Sequence, residues 1–270
     1  MRPLALLLLG YGLTRCCLPW SLKYMLAKGF KATNYLGHTL PAPAGVVPAA
    51  VSLTVMAATR PWLRPVEGWS VLLLCLSIAV LGLVDDLKGE GIHKGFRGHF
   101  RALRHGHVTT GFIKAAGGLI LALTGAWTLG NHELINLVVN TLLIALMTNF
   151  LNLMDLRPGR ATKSFIAGAA ILVLAAPRAE PDWLFIVVGS ALAYLPDDLK
   201  MKSMLGDTGA NFWGFVLGLS AVVSLSITVK AMVLALLLAV HFYAERHSIT
   251  RLIERTPWLN YLDRLGRPDY

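Results

Sequence analysis

The chain has 270 residues, 55% of them hydrophobic, with a positive mean hydropathy and a formal net charge of +10. Long uninterrupted apolar runs exclude an ordinary soluble domain, and basic residues confined to short loops leave no surface for nucleic acid. The charge suits anionic lipid surfaces and anionic substrates instead.

A spanning helix needs roughly 20 mostly apolar residues. Runs of that kind fall at about 4–22, 44–59, 69–87, 108–128, 134–152, 163–177, 182–196, 208–224 and 227–244. The sequence therefore predicts an all-α polytopic transmembrane helical bundle of about nine spans, forming one integral-membrane domain over residues 1–270. The first run imitates a signal peptide but lacks a small-x-small cleavage site, and it reads as an uncleaved helix. Cys16, Cys17 and Cys75 lie inside apolar runs without metal or disulfide spacing, as packing residues do.

Orientation follows from the basic residues. Taken in alternate gaps, eighteen lysines and arginines fall in one set and five in the other. The positive-inside rule then puts the N-terminus outside and the C-terminus in the cytoplasm. On this reading every unusual polar stretch faces the cytoplasm. The first loop is a turn-rich segment, Asn34 to Gly45. The third run ends in Asp85-Asp86, and a basic loop with His93, His99, His105 and His107 follows; the histidine spacing matches no common ligand pattern. Lys114 lies about a turn and a half into the fourth run, placed to snorkel to lipid phosphate or to reach the acids.

The fifth run carries Asn149, Asn152 and Asp155 three residues apart, on one helix face. Such a stripe needs either helix partners or a wet cavity. Arg157-Pro158-Gly159-Arg160 ends that helix with two guanidiniums suited to phosphate or to anchoring. Asp197 and Asp198 follow Pro196 and read as solvated loop acids. Next comes Lys202-Ser203-Met204-Leu205-Gly206-Asp207-Thr208-Gly209, a loop opening into a long apolar run. Asp207 and Thr208 are helix N-cap candidates, and Asp207 between two glycines is a candidate cation ligand. After the last run, residues 245–270 are too poor in apolar residues to span. They read as a cytoplasmic interfacial tail of two short helices broken at Pro257.

The ordered motifs Val84-Asp85-Asp86-Leu87-Lys88, Asn149-x-x-Asn152-x-x-Asp155 and Lys202-x-x-x-x-Asp207-Thr208-Gly209 resemble those of the polyprenyl-phosphate sugar-1-phosphate transferases, glycosyltransferase family 4. That family includes phospho-N-acetylmuramoyl-pentapeptide and undecaprenyl-phosphate N-acetylglucosamine-1-phosphate transferases. The resemblance spans roughly residues 30–215, and it includes Lys114. It implies Mg²⁺-dependent transfer of a sugar-1-phosphate from a UDP-sugar to polyprenyl phosphate on the cytoplasmic face of a bacterial membrane, releasing UMP, in cell-wall biogenesis.

By that likeness Asp207 would hold the metal, and Asp85, Asp86, Asp155 and Lys114 would be catalytic. Asn149, Asn152, Arg157, Arg160 and Lys202 would bind substrate. The implied partners are polyprenyl phosphate, a nucleotide sugar and the lipid bilayer, and a homodimer is compatible with the sequence. The chain departs from the family at Leu156-Arg157-Pro158-Gly159-Arg160. The family's histidine cluster is reduced to His241 and His247. These departures keep a second reading open: a catalytically altered homologue that binds lipid or nucleotide and regulates envelope synthesis.

Overall fold

The computed structural model describes residues 2–60, 68–88, 110–130, 132–176 and 181–268. The longer helices in chain order are α1 (Arg2–Ala27), α2 (Val46–Thr59), α3 (Trp69–Lys88), α4 (Thr110–Leu129), α5 (Leu134–Met154), α6 (Arg160–Ala175), α7 (Asp182–Leu199), α8 (Gly206–Ser224) and α9 (Ile227–Arg246). Two short helices end the chain, α10 (Ile249–Arg255) and α11 (Pro257–Arg264), with Pro257 in the first turn where its missing N–H costs nothing. A hairpin of β1 (Lys31–Thr33) and β2 (Thr39–Pro41) sits in the first loop, antiparallel with Ala32 opposite Leu40.

The nine runs expected from the sequence coincide with α1 to α9 to within a few residues. Among the described residues, five helices are long and apolar enough to cross a membrane: α1, α3, α4, α5 and α9. The chain is thus a multi-pass helical membrane protein, although nine spans are not reached on length and hydropathy. The shortfall has a physical basis. Helices α2 and α6 are short, with 14 and 16 residues. Helices α7 and α8 are long enough but carry polar residues and glycines, as suits helices surrounded by protein rather than lipid.

Helix α8 is the hub, buried from Thr208 to Val222. It packs against α3, α5, α6 and α4. Trp213 stacks on Phe165 of α6 at 5.5 Å and meets Tyr194 of α7 edge-on at 5.9 Å. Buried hydroxyls tie neighbouring helices, as between Ser52 of α2 and Ser190 of α7 (2.9 Å), and Trp183 Nε1 donates to Ser220 Oγ (3.1 Å). Helix α1 lies along α7 with Gly10 against the Ile186 carbonyl and Gly189 against that of Leu7. A β-carbon at either glycine would collide with backbone, so only glycine permits this approach.

Asp197 and Asp198 are not solvated loop acids, contrary to expectation. Helix α7 continues through Pro196 to Leu199, and both carboxylates are buried. Asp197 pairs with Arg15 (2.6 Å) and Lys202 (3.0 Å), while Asp198 accepts a hydrogen bond of 2.5 Å from Thr162. The proline reads as a helix stop only if the helix must end where the apolar run does; tertiary ion pairs carry it one turn further.

Candidate active site

The C-terminal end of α3, the second turn of α4, the end of α5 and the first turn of α8 meet at one end of the bundle. Four N–H groups open every α-helix without an intrahelical partner. In α8 three consecutive ones are taken by carboxylates from other helices. Gly206 N donates to Asp155 Oδ2 (3.1 Å), Asp207 N to Asp86 Oδ1 (2.8 Å) and Thr208 N to Asp86 Oδ2 (2.8 Å). Thr208 Oγ1 adds a fourth bond, to Asp86 Oδ2 (2.6 Å). The three acidic segments of the sequence are thus joined through one helix N-terminus, which also favours their negative charge.

This corrects the expectation that Asp207 or Thr208 caps its own helix. The cap is Asp86, reaching across from α3. Gly206 has φ +77°, and a β-carbon there would stand 2.7 Å from Pro43 Cβ and 2.8 Å from Asp86 Oδ1. Glycine is required both for the left-handed turn and for the approach of Asp86.

With Asp86 committed, Asp85 and Asp207 face the cluster's cation. Lys114 Nζ lies 2.7 Å from Asp85 Oδ2 and 2.8 Å from Asp207 Oδ2, so one ammonium bridges α3 and α8 from α4. The donor set fits a hard divalent cation, because two carboxylate oxygens converge on a single point of positive charge. Among the described residues no group of three or more His, Cys, Asp or Glu side chains forms a ready cage. The ammonium of Lys114 occupies the point between the two carboxylates.

Asp155, just past α5, lies beside a small cavity of about 70 Å³ lined also by Tyr35, Arg157, Asp198 and Ser203. Burial pushes its carboxyl well above the usual range, and the nearby Asp198 and Asp207 add to this against the Gly206 hydrogen bond. The Arg157 guanidinium lies over the Tyr35 ring at 3.9 Å and reaches Glu254 at 3.6 Å. Asn149 and Asn152 are half-buried, and their side chains have no hydrogen-bond partner among the described residues.

Two expected substrate ligands are engaged by acids of the chain itself. Arg160 is buried, and its guanidinium donates to Asp263 Oδ1 (2.8 Å), Asp263 Oδ2 (3.0 Å) and Thr250 Oγ1 (3.0 Å). Its fork is consumed by the C-terminal tail rather than offered to a ligand. Lys202 is spent on Asp197. The histidines of the basic loop, residues 93–107, lie outside the described residues. His241 bonds the Leu237 carbonyl (2.7 Å) and His247 packs on Tyr243.

An apolar groove of about 790 Å³ opens beside the cluster between α1, α2 and α3. Its lining includes the exposed Trp20 and Tyr24 of α1 together with Pro43, Leu83 and Leu87. Leu83 and Leu87 flank Asp86 on α3, and Pro43 touches the place where Gly206 bends.

The profile of glycosyl transferase family 4 matches residues 68–225, more than half of the chain and all three acidic segments. The chain belongs to glycosyl transferase family 4. No curated protein matches it closely. Members of this family are polyprenyl-phosphate sugar-phosphate transferases, whose substrates are a polyprenyl phosphate and a nucleotide sugar. The matched region contains Asp85, Asp86, Lys114, Asp155 and Asp207, but neither the hairpin that carries Tyr35 nor the tail that carries Asp263. Sequence motifs therefore had no hold on the Tyr35–Arg157 stack or the Asp263 clamp. The signal that could have found the clamp is Asp263 itself, an acid on the same helical face as Leu259 of a basic tail.

Proposed function

We propose that the protein transfers a sugar-1-phosphate from a UDP-sugar to polyprenyl phosphate at the cytoplasmic membrane face, releasing UMP, in bacterial envelope glycan synthesis. The observation that carries this reading is the meeting of Asp85, Lys114 and Asp207 at the end of α3 whose Leu83 and Leu87 line an apolar groove. A charged site for phosphates and a sleeve for an isoprenoid chain are thus contiguous. The eighteen-to-five distribution of basic residues puts this end of the bundle inside the cell.

In the reaction an oxygen of the acceptor phosphate bonds to the phosphorus that carries the sugar. The bond from that phosphorus to the bridging oxygen breaks, and its electron pair leaves on UMP. Such transfers depend on positioning and charge neutralisation more than on covalent chemistry. Mg²⁺ held by Asp207 with Asp85 would supply that neutralisation as a Lewis acid. Lys114, released from the two carboxylates, places its ammonium on the same phosphates. Asp86 holds the α8 N-terminus in register so that Asp207 faces the cluster. Arg157, oriented by the Tyr35 ring, offers a planar fork to the donor's anionic groups. Asn149 and Asn152 present unpaired amides to the nucleotide.

The alternative, a catalytically altered homologue that binds polyprenyl phosphate or nucleotide and regulates envelope synthesis, is favoured by the departure at Leu156-Arg157-Pro158-Gly159-Arg160, whose Arg160 is held by Asp263. The test is a panel of UDP-sugars offered to protein in nanodiscs containing undecaprenyl phosphate, with and without Mg²⁺. Release of UMP from at least one donor, dependent on both lipid and metal, supports transfer. Saturable lipid or nucleotide binding without UMP under any combination establishes the altered homologue instead.

A further inference from the structure

The C-terminal helix pair lies outside the matched family region, and its two faces differ sharply. On α11, Leu259 and the buried Asp263 face the bundle. Trp258, Tyr261, Leu262 and Leu265 form the opposite stripe, at 64%, 67%, 50% and 51% exposure. The stripe follows the i, i+3, i+4, i+7 spacing of one helical face. The inner face is held tightly. Asp263 accepts from both Arg160 and Arg267, and Lys163 Nζ donates to the Leu262 and Asp263 carbonyls at 2.7 Å each. Arg267 Nε also donates to the Pro158 carbonyl (2.7 Å). The helix is thus clamped rigidly, with four large apolar side chains turned outward.

Position and charge say what covers them. Helix α9 is apolar and long enough to span, and only His247 and Ser248 separate it from α10. At the other end, Asp263 is pinned to Arg160, the first residue of α6. Both anchors are ends of bundle helices, so α11 cannot rise far from the level where lipid head groups lie. Arg251, Arg255 and Arg264 are exposed along the pair. Aromatic residues beside arginines at that level match an anionic leaflet, with rings in the interface and guanidiniums among phosphates.

We propose that α10–α11 is a foot on the membrane surface: the Trp258, Tyr261, Leu262 and Leu265 stripe seats in an anionic lipid leaflet, and the Asp263 clamp fixes the Asp155–Arg160 segment to that seat. The seat does not depend on the transferase reading. The test uses the full chain with its three cysteines replaced, reconstituted in bilayers containing phosphatidylglycerol. Nitroxide labels are placed singly at Tyr261→Cys, Leu262→Cys and Arg264→Cys, all exposed positions that leave the clamp intact. A stripe buried about 5–10 Å below the head groups should lower collision with a water-soluble nickel complex at 261 and 262 by about threefold or more relative to 264, and raise collision with oxygen. Replacing phosphatidylglycerol by phosphatidylcholine, or Arg251, Arg255 and Arg264 by glutamine in the 261-labelled chain, should reduce that shielding. Nickel collision at 261 and 262 equal to that at 264 overturns the proposal. So does shielding accompanied by spin–spin broadening that unlabelled protein dilutes away, because the cover would then be a second copy of the chain.

Discussion

Two adjacent aspartates with different tasks predict two different failures. Asp86→Asn keeps the shape of the side chain but leaves one oxygen where three donors now converge. If that oxygen replaces Oδ1, the Thr208 N–H loses its acceptor and the Thr208 hydroxyl can only accept from the new NH₂; if it replaces Oδ2, the Asp207 N–H faces an amide NH₂. At least one charge-assisted bond disappears, worth about 1.5–3 kcal/mol, and a helix N–H is left unpaired at about 1–3 kcal/mol more. The site is only partly buried, so the lower half of that range applies, about 2.5–4 kcal/mol. For a chain of this size each kcal/mol moves Tm by about 2–4 °C, giving a fall of about 5 °C or more. Asp85→Asn removes one partner of Lys114 while Asp207 keeps the other, so its Tm should stay near wild type although turnover falls. Thermal unfolding in detergent, followed in a chain with the exposed Cys16 and Cys17 replaced by reaction of the buried Cys75 thiol with a maleimide dye, measures both variants. An unchanged Tm for Asp86→Asn together with a lowered one for Asp85→Asn would refute the division of roles.

Four further outcomes follow from the same geometry. Asp155→Asn retains an acceptor for Gly206 N–H and removes a buried charge near Asp198 and Asp207, so Tm at pH 7.5 should not fall; since the folded-state pKa is raised, the wild type should lose stability as pH climbs above the usual carboxylate range, and the variant should not. Gly206→Ala places a β-carbon against Pro43 and Asp86 at a left-handed φ, a strain of about 1–2 kcal/mol before any clash, and should abolish turnover with Tm lowered. Burial would raise the Asp263 carboxyl, but Arg160 and Arg267 outweigh it and hold it below the ordinary 3.8, so the clamp's stability is present above that value and lost only as pH falls below it; protease sensitivity of the tail should stay flat from pH 8 to pH 5. A cysteine at the exposed Lys88 should resist an impermeant maleimide in intact cells, and strong labelling would reverse the assigned membrane face.

The helices were legible because apolar run length is a strong, local signal; α3, α5 and α8 end within two residues of their predicted limits. The meeting of Asp85, Lys114 and Asp207 was foreseeable as a family pattern, yet nothing local distinguishes Asp85 from Asp86. That difference arises when α8 offers its free N–H groups to one carboxylate of the pair. The partners of Arg160 and Lys202 were not foreseen for a related reason. A basic residue beside a motif suits phosphate, but buried acids from distant segments, Asp263 and Asp197, claim these two first. The β1–β2 hairpin was hidden because three-residue strands among turn formers carry no periodicity, and with it went the ring that orients Arg157.

The claim that the Asp85–Lys114–Asp207 cluster performs phosphoryl transfer is tested most directly by UMP release from Asp207→Asn and wild-type protein, side by side in nanodiscs with undecaprenyl phosphate, the accepted UDP-sugar and Mg²⁺, normalised to folded protein by the Cys75 assay. The account predicts metal- and lipid-dependent release by the wild type and a loss of about hundredfold or more in the variant, the scale expected when a principal electrostatic group is removed from a transition state. Release by Asp207→Asn at a rate close to wild type would contradict it.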